Sequence, residues 1–347
     1  MPALFNRLTG RQQHSLHALH QKYGDFVRVG PNELSVITAA AWKDIYDYRR
    51  NGLRGFPKDT KNFYSQSKKG ATSMLTADDD DHARMRRVFS NAFSNRALSE
   101  QEGLLNAYTN TFIEKLQLKA SEAKVDLVQF FNFVTFDSVA DLTFGQPLHL
   151  LDNMKYNSWV ENFFFTAKYL SISSALRNLP IFGKLALLAL PEGVKEKLKW
   201  NAGFCRESVN RRLKAADNAH PDFWSFVLQA EGKGALTVPE MYANSVLFMV
   251  AGTETTATAL SGLIYYLLRS PEKMTNLTDI IRTSFESESE MTMLTLPRVD
   301  YLQACIQEGL RIYPPVAVGL PRTVPKEGGQ ISGKPLPGGV SAPQTSI

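Results

Sequence analysis

The sequence predicts a mainly α-helical fold with small β-sheets, and two observations support this prediction. Apolar residues recur with the period of an amphipathic helix over long stretches, most extensively from 237 to 270. The alternation typical of strands is clearest in two short segments, 26–29 and 33–37. With 44% hydrophobic and 21% charged residues, the composition is that of a folded globular protein. A length of 347 residues leaves one large domain or two smaller ones open.

Charge and cysteine content narrow the class of protein. A net charge of +5 without a long basic block favours an acidic protein partner or an anionic membrane surface, and no nucleic acid. Cys205 and Cys305 lack the spacing of a disulfide framework or a zinc site, so no metal site of that kind is predicted and an intracellular setting is favoured. Residues 1–14 turn polar quickly, so neither a signal peptide nor a membrane anchor is predicted there.

Turn residues mark the ends of the first predicted helix and strands. A helical pattern over 11–24 ends at Gly24, and the two strands flank the turn Gly30-Pro31-Asn32. A helix is predicted next, over 39–48.

The following helix begins with four acids. Asp78 to Asp81 precede the bases of 82–87, an order that the helix dipole favours, and the apolar period continues to Leu98. Without other evidence, the simplest interpretation is a solvated, well-capped helix. Further helices are predicted over 101–118 and 126–143.

Segment 162–190 has two interpretations. Its apolar runs are interrupted by the isolated cations Lys168, Arg177 and Lys184. That pattern suits contact with a membrane surface, and it also suits a buried helix pair. Composition leaves both open.

The longest helical signal begins with Thr237 and Glu240 at capping-box spacing, with Pro239 in the first turn and Pro271 after the end. A helix of this length spans about 45 to 50 Å at roughly 1.5 Å per residue. Its apolar character would permit a transmembrane span, but Glu254 in its middle disfavours lipid. We therefore predict a buried central helix that carries a polar site.

Residues 251–256 break the rules for a helix interior. Gly252 weakens the helix by about 1 kcal/mol, and it would let a flat ligand approach the backbone. A threonine hydroxyl can bond the carbonyl one turn back and open the helix to water or oxygen. Glu254 beside Thr255 offers a carboxyl and a hydroxyl for relaying protons. The alternative is a structural threonine cluster that bonds its own backbone, with Glu254 paired to a basic side chain.

A second candidate constellation is Glu308 and Arg311, which share one helix face at i, i+3. Pro314 and Pro315 then end the helix and force an extended segment. By itself such a pair is common on protein surfaces. Its value comes from its context, between 301–307 and the apolar segment that begins at Val316.

At these places the sequence resembles the cytochrome P450 family, and more narrowly the filamentous-fungal members of secondary-metabolite pathways. The first strand pair of the family is similar to residues 23–34, its third major helix to 82–86, its oxygen-binding helix to 251–256 and its Glu-x-x-Arg pair to 308–311. The motifs occur in the family's order. The resemblance runs from about residue 11 to about residue 340, and it implies a cytochrome P450-like fold in a single domain over 1–347.

The resemblance also implies a haem cofactor and a role for each matching residue. Thr255 would stabilise the iron-bound oxygen intermediate and Glu254 would help to deliver protons. Charge-assisted hydrogen bonds would hold the haem propionates. The residues predicted to bind the cofactor are His82, Arg86, Ala251, Gly252 and Arg322. The residues predicted to lock the core beneath the haem are Glu308 and Arg311, and those predicted to face substrate are Phe248, Val316, Val318 and Leu320.

The sequence departs from the family's pattern at the iron ligand. Family members continue past about residue 340 to a Phe-x-x-Gly loop that bears the ligating cysteine, which this sequence does not contain. Cys205 and Cys305 lie in helical segments and are typical of packing residues. We therefore expect a C-terminally incomplete, truncated chain, also without an N-terminal anchor. Such a chain would bind haem weakly and be inactive, because thiolate donation drives oxygen cleavage.

Three functions remain open. The first is a monooxygenase that hydroxylates an apolar small-molecule substrate with electrons from an NADPH-dependent reductase. The resemblance implies the cytosolic face of the endoplasmic reticulum membrane for it, or the cytoplasm for an unanchored chain. The second is a non-enzymatic, truncated pseudoenzyme that at most binds lipophilic ligands. The third is a membrane-embedded helical protein.

Overall fold

The computed structural model describes residues 5–6, 8–47, 55–60, 64, 71–177, 191–215, 222–228, 234–317 and 319–343. The predicted fold class is confirmed, since helices dominate and the strands form two small sheets. The helices are α1 (Gln12–Tyr23), α2 (Ala39–Tyr46), α3 (Asp79–Ser90), α4 (Asn95–Glu122), α5 (Leu127–Phe144), α6 (Leu150–Asn153), α7 (Ser158–Arg177), α8 (Glu192–Lys214), α9 (Phe223–Val227), α10 (Val238–Gly252), α11 (Glu254–Leu268), α12 (Pro271–Ser284) and α13 (Asp300–Ile312). The strands are β1 (Phe26–Gly30), β2 (Glu33–Val36), β3 (Gly329–Ile331) and β4 (Lys334–Leu336).

Each sheet is an antiparallel hairpin. Strands β1 and β2 pair with Phe26 opposite Val36, which confirms the predicted strand pair. Strands β3 and β4 turn through Ser332 and Gly333, whose φ angles are 49° and 77°. Two successive residues of positive φ match the right-handed twist of the flanking strands, so a glycine at the second position suits this turn.

Residues from distant parts of the chain meet at β2. The Leu34 N–H donates to the Ser341 carbonyl at 2.9 Å, and the Ser341 N–H donates to the Asn32 carbonyl at 2.8 Å. The small apolar core beside them draws on both regions, and its buried members are Val36, Ala41, Ile45, Phe56, Val324, Ile331 and Ala342. The first hairpin is therefore stabilised by residues that follow it by some three hundred positions.

Helix α5 lies at the centre of the helical part. The Asp126 carboxylate caps its start by accepting from the Gln129 N–H at 3.1 Å, and Gly145 ends it at a φ of 67°. The helix packs against α4, α10 and α11, so it is buried on most sides. This burial explains why its sequence is apolar nearly all round.

The long helical signal becomes two helices. The Thr237 hydroxyl accepts from the Glu240 N–H at 3.4 Å and the Glu240 carboxylate accepts from the Thr237 N–H at 2.8 Å, which confirms the predicted capping box. The continuous helix predicted over 237–270 is interrupted at Thr253, between α10 and α11.

Burial along this helix pair is uneven. In the part of the chain that the structure describes, 238–268 is long and apolar enough to cross a membrane, and 28% of its most apolar stretch is buried. The side chains of Asn244 and Ser245 in α10 are fully buried, but Tyr265 and Leu268 in α11 are 54% and 60% exposed. The prediction of a buried helix is therefore wrong for the end of α11, because no described element covers these two residues.

Helix α3 ends earlier than predicted. It stops at Ser90, and after a short 3-10 turn the Ser94 hydroxyl caps α4 by accepting from the Ala97 N–H at 3.2 Å. The predicted extension to Leu98 is therefore wrong, because a serine N-cap starts a new helix at that point.

The predicted segment 162–190 is described only in part. Helix α7 ends at Arg177, and residues 178–190, which include Lys184, lie outside the described residues.

Candidate functional site

Four cationic side chains, Lys58, His82, Arg86 and Arg322, form what we call the basic cluster. Lys58 and Arg322 are partners in an antiparallel bridge. His82 and Arg86 lie one turn apart on α3. The structure brings His82 within electrostatic reach of Arg86 and of Arg322, the two arginines predicted to bind the cofactor with it.

Burial and repulsion between the cations both lower pKa values in the basic cluster. Burial lowers the pKa of His82, and the positive charges of Lys58, Arg86 and Arg322 lower it further, while Asp79 opposes them. Burial and then Arg322 lower the pKa of Lys58 to about 8. Cations held close together against their own repulsion suit the binding of an anionic group.

The start of α3 fixes where His82 lies. The Asp78 carboxylate accepts from the Asp81 N–H at 2.9 Å and caps the helix. The ammonium group of Lys58 donates to the carbonyls of Met74 and Ala77 at 3.0 and 2.9 Å, in the turn that precedes α3. The charged segment 78–87 therefore has a local capping function, and two of its bases, His82 and Arg86, also belong to the basic cluster.

Arg322 has spare hydrogen-bonding capacity. Its Nη1 donates to the Phe56 carbonyl at 3.3 Å, and its guanidinium lies 5.7 Å from the centre of the Tyr46 ring. Its Nε is buried without a hydrogen-bond partner among the described residues. A buried guanidinium nitrogen in this state is satisfied by an added acceptor, such as a carboxylate oxygen.

Sequence reasoning missed Lys58. Its bridge partner Arg322 is 264 residues away, and the residues next to Lys58 carry no pattern that indicates a site. Only the folded chain joins it to α3. A local motif search therefore had no signal by which to find it.

The 251–256 segment shows how the two long helices are separated. The Thr253 hydroxyl, fully buried, donates to the Met249 carbonyl at 2.6 Å, and the Thr255 hydroxyl donates to the Ala251 carbonyl at 2.5 Å. Both bonds run one turn back, which is the arrangement expected for either interpretation of the threonines. Glu254 and Ala251 are exposed, so the carboxyl of Glu254 is accessible to solvent protons.

Gly252 lies close to a neighbouring helix. A methyl group added at its Cα would lie 3.1 Å from both terminal methyl carbons of Val139 on α5. The close approach that this glycine permits is therefore between two helices. This contact does not test the prediction that the backbone at Gly252 is also open to a flat ligand, which stays a prediction.

The predicted pair of Glu308 and Arg311 forms with ideal geometry. Two hydrogen bonds of 2.7 Å join the guanidinium to the carboxylate. The bonds lower the pKa of Glu308 and raise that of Arg311, although both side chains are exposed. As the structure has it, the pair lies on the surface of α13 and not in a core.

Two glycines allow α11 and the end of α13 to pack closely together. A methyl group added at Gly262 would lie within 2.9 Å of the Tyr313 ring carbon Cγ, and one added at Gly309 would lie 3.0 Å from Leu263. Gly309 therefore allows Leu263 of α11 to approach the backbone of α13.

The residues predicted to face substrate separate into two groups. Phe248 is 8% exposed and packs edge-on against the rings of Phe89 and Phe223, with centroids 4.8 and 5.1 Å away. Its ring packs in the core of this structure, and its contact with a substrate stays a prediction. Val316 and Leu320 are exposed, and Val318 lies outside the described residues.

Neither cysteine has the surroundings of a metal ligand. Cys205 is buried in α8, where burial raises the pKa of its thiol to about 12. Burial also raises the pKa of Cys305, which lies in α13 one turn before Glu308. Thiolates that bind metal have a lowered pKa. Among the described residues, no group of three or more His, Cys, Asp or Glu side chains is arranged to hold a metal ion.

A half-open cavity of about 180 Å³ lies elsewhere, between α4, α5 and α6. Its lining includes Tyr108, Asp137 and His149. Asp137 accepts three backbone N–H groups from 148–151, so its carboxylate serves to anchor the loop that follows α5.

Comparison with known proteins agrees with the family resemblance of the motifs. The family model described as cytochrome P450 matches residues 2–341. The chain is 44% identical over 337 residues to cytochrome P450 monooxygenase rdc4 of Metacordyceps chlamydosporia, covering 96% of this chain and 68% of that protein. It is 42% identical to cytochrome P450 monooxygenase efuB of Hormonema carpetanum, covering 97% and 68%. It is 40% identical to cytochrome P450 monooxygenase FUM2 of Gibberella moniliformis, covering 96% and 71%.

Proposed function

The chain belongs to the cytochrome P450 family of haem-thiolate monooxygenases, and from that premise we propose the oxidation of an apolar small molecule in a fungal secondary-metabolite pathway as its function, provided that a thiolate ligand is supplied to the haem iron. The relatives are named as monooxygenases and come from fungi. The proposal rests on one structural observation, the basic cluster. Residues far apart in sequence come together there with a buried nitrogen of Arg322 that has no acceptor among the residues that the structure describes.

The basic cluster fits the carboxylate edge of haem. His82, Arg86 and Arg322 would donate charge-assisted hydrogen bonds to the two propionates, with the spare Nε of Arg322 among the donors. Ala251 and Gly252 would lie along the cofactor, Ala251 through its exposed face. When bound, haem supplies the chemistry of oxygen activation, and the protein supplies position and protons.

Thr255 and Glu254 are the residues proposed for proton delivery. The Thr255 hydroxyl donates to a carbonyl of its own helix, and this bond holds the hydroxyl oxygen in place with its lone pairs available. The exposed Glu254 carboxyl would exchange protons with water and pass them to that hydroxyl. Val316, Val318 and Leu320 would face the apolar substrate.

Neither cysteine of this chain fits the family's requirement for a thiolate ligand to the haem iron. The raised thiol pKa values of Cys205 and Cys305 oppose ligation, and both lie inside helices. We propose that the 347 residues by themselves do not cleave oxygen. The same mismatch favours a second function, in which the chain binds porphyrins or other lipophilic ligands without turnover.

Carbon monoxide binding to the purified chain, reconstituted with haem and reduced, tests the proposal. We expect haem to be retained without the absorption band of a thiolate ligand. Cys205→Ser and Cys305→Ser should leave the spectrum unchanged. If the wild type shows a thiolate-type band and one of these two variants loses it, the substituted cysteine ligates the iron, which contradicts the proposal.

A reductase and a membrane complete the proposed setting. Electrons would come from an NADPH-dependent reductase, and the protein would work at the cytosolic face of the endoplasmic reticulum. Exposed Phe165 and Trp200, on α7 and α8, are suited to a membrane surface near 162–190. Flotation of the chain with anionic phospholipid vesicles, compared with Phe165→Ser, tests that contact, and unaltered flotation of the variant would contradict it.

A further inference from the structure

Lys58 links two parts of the basic cluster. It pairs through its backbone with Arg322, and its ammonium group bonds the carbonyls of Met74 and Ala77. An ammonium group has three N–H donors. These two bonds hold the turn before α3, and thereby the first turn of α3 that carries His82.

The surroundings of Lys58 are mostly cationic and aromatic. Burial is the larger cause of its lowered pKa of about 8, Arg322 is the next, and two acids of α3 oppose them. The ring of Tyr64 lies 5.8 Å from the ammonium nitrogen. The charged or titratable groups that interact with it are Tyr64, Asp78 and Asp79 at the start of α3, His82, and Arg322. Tyr46 and Asp59 interact with Tyr64, and Arg86 interacts with His82.

Lys58 is the cation of the basic cluster whose charge changes just above neutral pH. Arginine side chains stay charged throughout this range. Burial and the neighbouring cations lower the pKa of His82, so its change of charge lies on the acid side of that of Lys58. An anion placed near Lys58 favours its charged form, and binding of that anion is then linked to uptake of a proton.

We propose that Lys58 regulates the charge of the proposed haem-propionate site, so that binding of the carboxylate edge of a porphyrin takes up a proton at Lys58 and weakens as the solution becomes alkaline. This inference rests on the proposed function, because it assumes that the basic cluster receives propionates. It also assigns Lys58 a positioning role, because its bonds to the turn before α3 hold the helix start that carries His82.

The test uses metal-free protoporphyrin IX, whose binding requires no iron ligand, in fluorescence titrations of the full chain between pH 7 and pH 9.5. We expect the Kd of the wild type to rise about tenfold over this range, the change that corresponds to one pKa unit on binding. Lys58→Arg, which stays charged, should show a low Kd at every pH. Lys58→Met should show a high Kd at every pH. The dimethyl ester of the porphyrin, without free carboxylates, should show no pH dependence.

Lys273→Met is the matched control, because Lys273 is an exposed lysine on α12. It should keep the pH dependence of the wild type. If Lys58→Arg also keeps it, the inference about Lys58 is overturned and the proposed haem site is unaffected. If the wild type binds no protoporphyrin at all, the proposed haem site is overturned and this inference with it. Circular dichroism verifies the fold of each variant, and Lys58→Arg alone decides the question if Lys58→Met does not fold.

Discussion

Two arginine–carboxylate pairs of this protein have similar geometry and opposite surroundings. Arg212 of α8 pairs with Asp222 beside α9 through two nitrogens, and the side chains are 4% and 0% exposed. Arg311 pairs with Glu308 on α13 through two bonds as well, but those side chains are 67% and 57% exposed. Chemistry and hydrogen-bond count are the same, so burial is what distinguishes them.

The comparison teaches that the pair matching the family motif is not the one expected to stabilise this fold. Exposed pairs contribute little, because water screens the charges and both side chains lose freedom. A buried pair is different, since removal of one partner leaves a charge without compensation. Arg212 also has a buried Nη1 without a hydrogen-bond partner among the described residues, so it depends on Asp222.

The largest expected effect is at the buried pair. Asp222→Ala should lower the free energy of unfolding by about 3 to 5 kcal/mol, because it leaves the Arg212 charge buried and unpaired. It also removes the cap that accepts from the Ser225 N–H at 2.8 Å. Denaturation with urea measures the loss. Asp279→Ala, at an exposed position of α12, should change stability by less than about 0.5 kcal/mol. Equal effects of the two substitutions would contradict the role of burial.

The second prediction concerns the close packing of α11 against the residue that follows α13. Gly262→Ala should destabilise the protein by about 1 to 3 kcal/mol through overpacking, because the new methyl group meets the Tyr313 ring. Gly103→Ala is the control, since nothing lies within 4 Å of its added methyl group. It should stabilise α4 by about 0.5 to 1 kcal/mol. Thermal unfolding distinguishes the opposite signs, and a stabilised Gly262→Ala would show that the two helices are not in close contact.

A pair of intermediate burial gives the third effect. Arg84 of α3 donates to Glu240 of α10 at 2.5 Å, with side chains 25% and 10% exposed. Glu240→Gln should lower the free energy of unfolding by about 1 to 2 kcal/mol at pH 7 through the weakened charged hydrogen bonds. Glu207→Gln, at an exposed position of α8, serves as the control and should have no resolved effect.

This third effect should depend on pH. Burial alone would raise the pKa of Glu240, but the hydrogen bonds from Arg84 and Thr237 outweigh it and lower the pKa below 4.5. A carboxyl whose folded pKa is lowered contributes stability above its unfolded pKa and loses it as the pH falls through the folded value. The difference between wild type and Glu240→Gln should therefore shrink below pH 4.5. A difference that stays constant down to pH 3 would exclude this linkage.

The smallest effect is expected at the exposed pair. Glu308→Gln should leave the Tm unchanged within error, because both partners are accessible to water. Differential scanning calorimetry at low salt is the most sensitive measurement. A clear fall in Tm would mean that Glu308 is covered in solution and would remove the contrast between the two pairs.

Local signals predicted much of the fold. The Thr237–Glu240 capping box, the Gly24 helix end and the strand pair around Pro31 all depend on neighbouring residues, and the structure has each of them. The end of α3 was missed although Ser94 is a helix-start signal, because the apolar period continues across it.

Contacts between distant residues could not be predicted in the same way. Gly252 faces Val139 and Lys58 pairs with Arg322 only once the chain is folded, since no period or spacing joins residues more than a hundred positions apart. The family resemblance predicted that His82, Arg86 and Arg322 bind the same cofactor, but it gave no spatial arrangement for them. It gave no indication of Lys58, and it did not reveal that Phe248 packs among aromatic rings.

The joining of Leu34 and Asn32 to Ser341 has a consequence for synthesis on the ribosome. A nascent chain emerges from its N-terminus, at about 5 to 20 residues per second. The first hairpin therefore waits for more than about ten seconds until Ser341 has been synthesised. During that interval its unpaired edge is available to chaperones or to aggregation, so slowing of translation between Val36 and Ser341 would reduce the yield of soluble protein more than slowing before the hairpin.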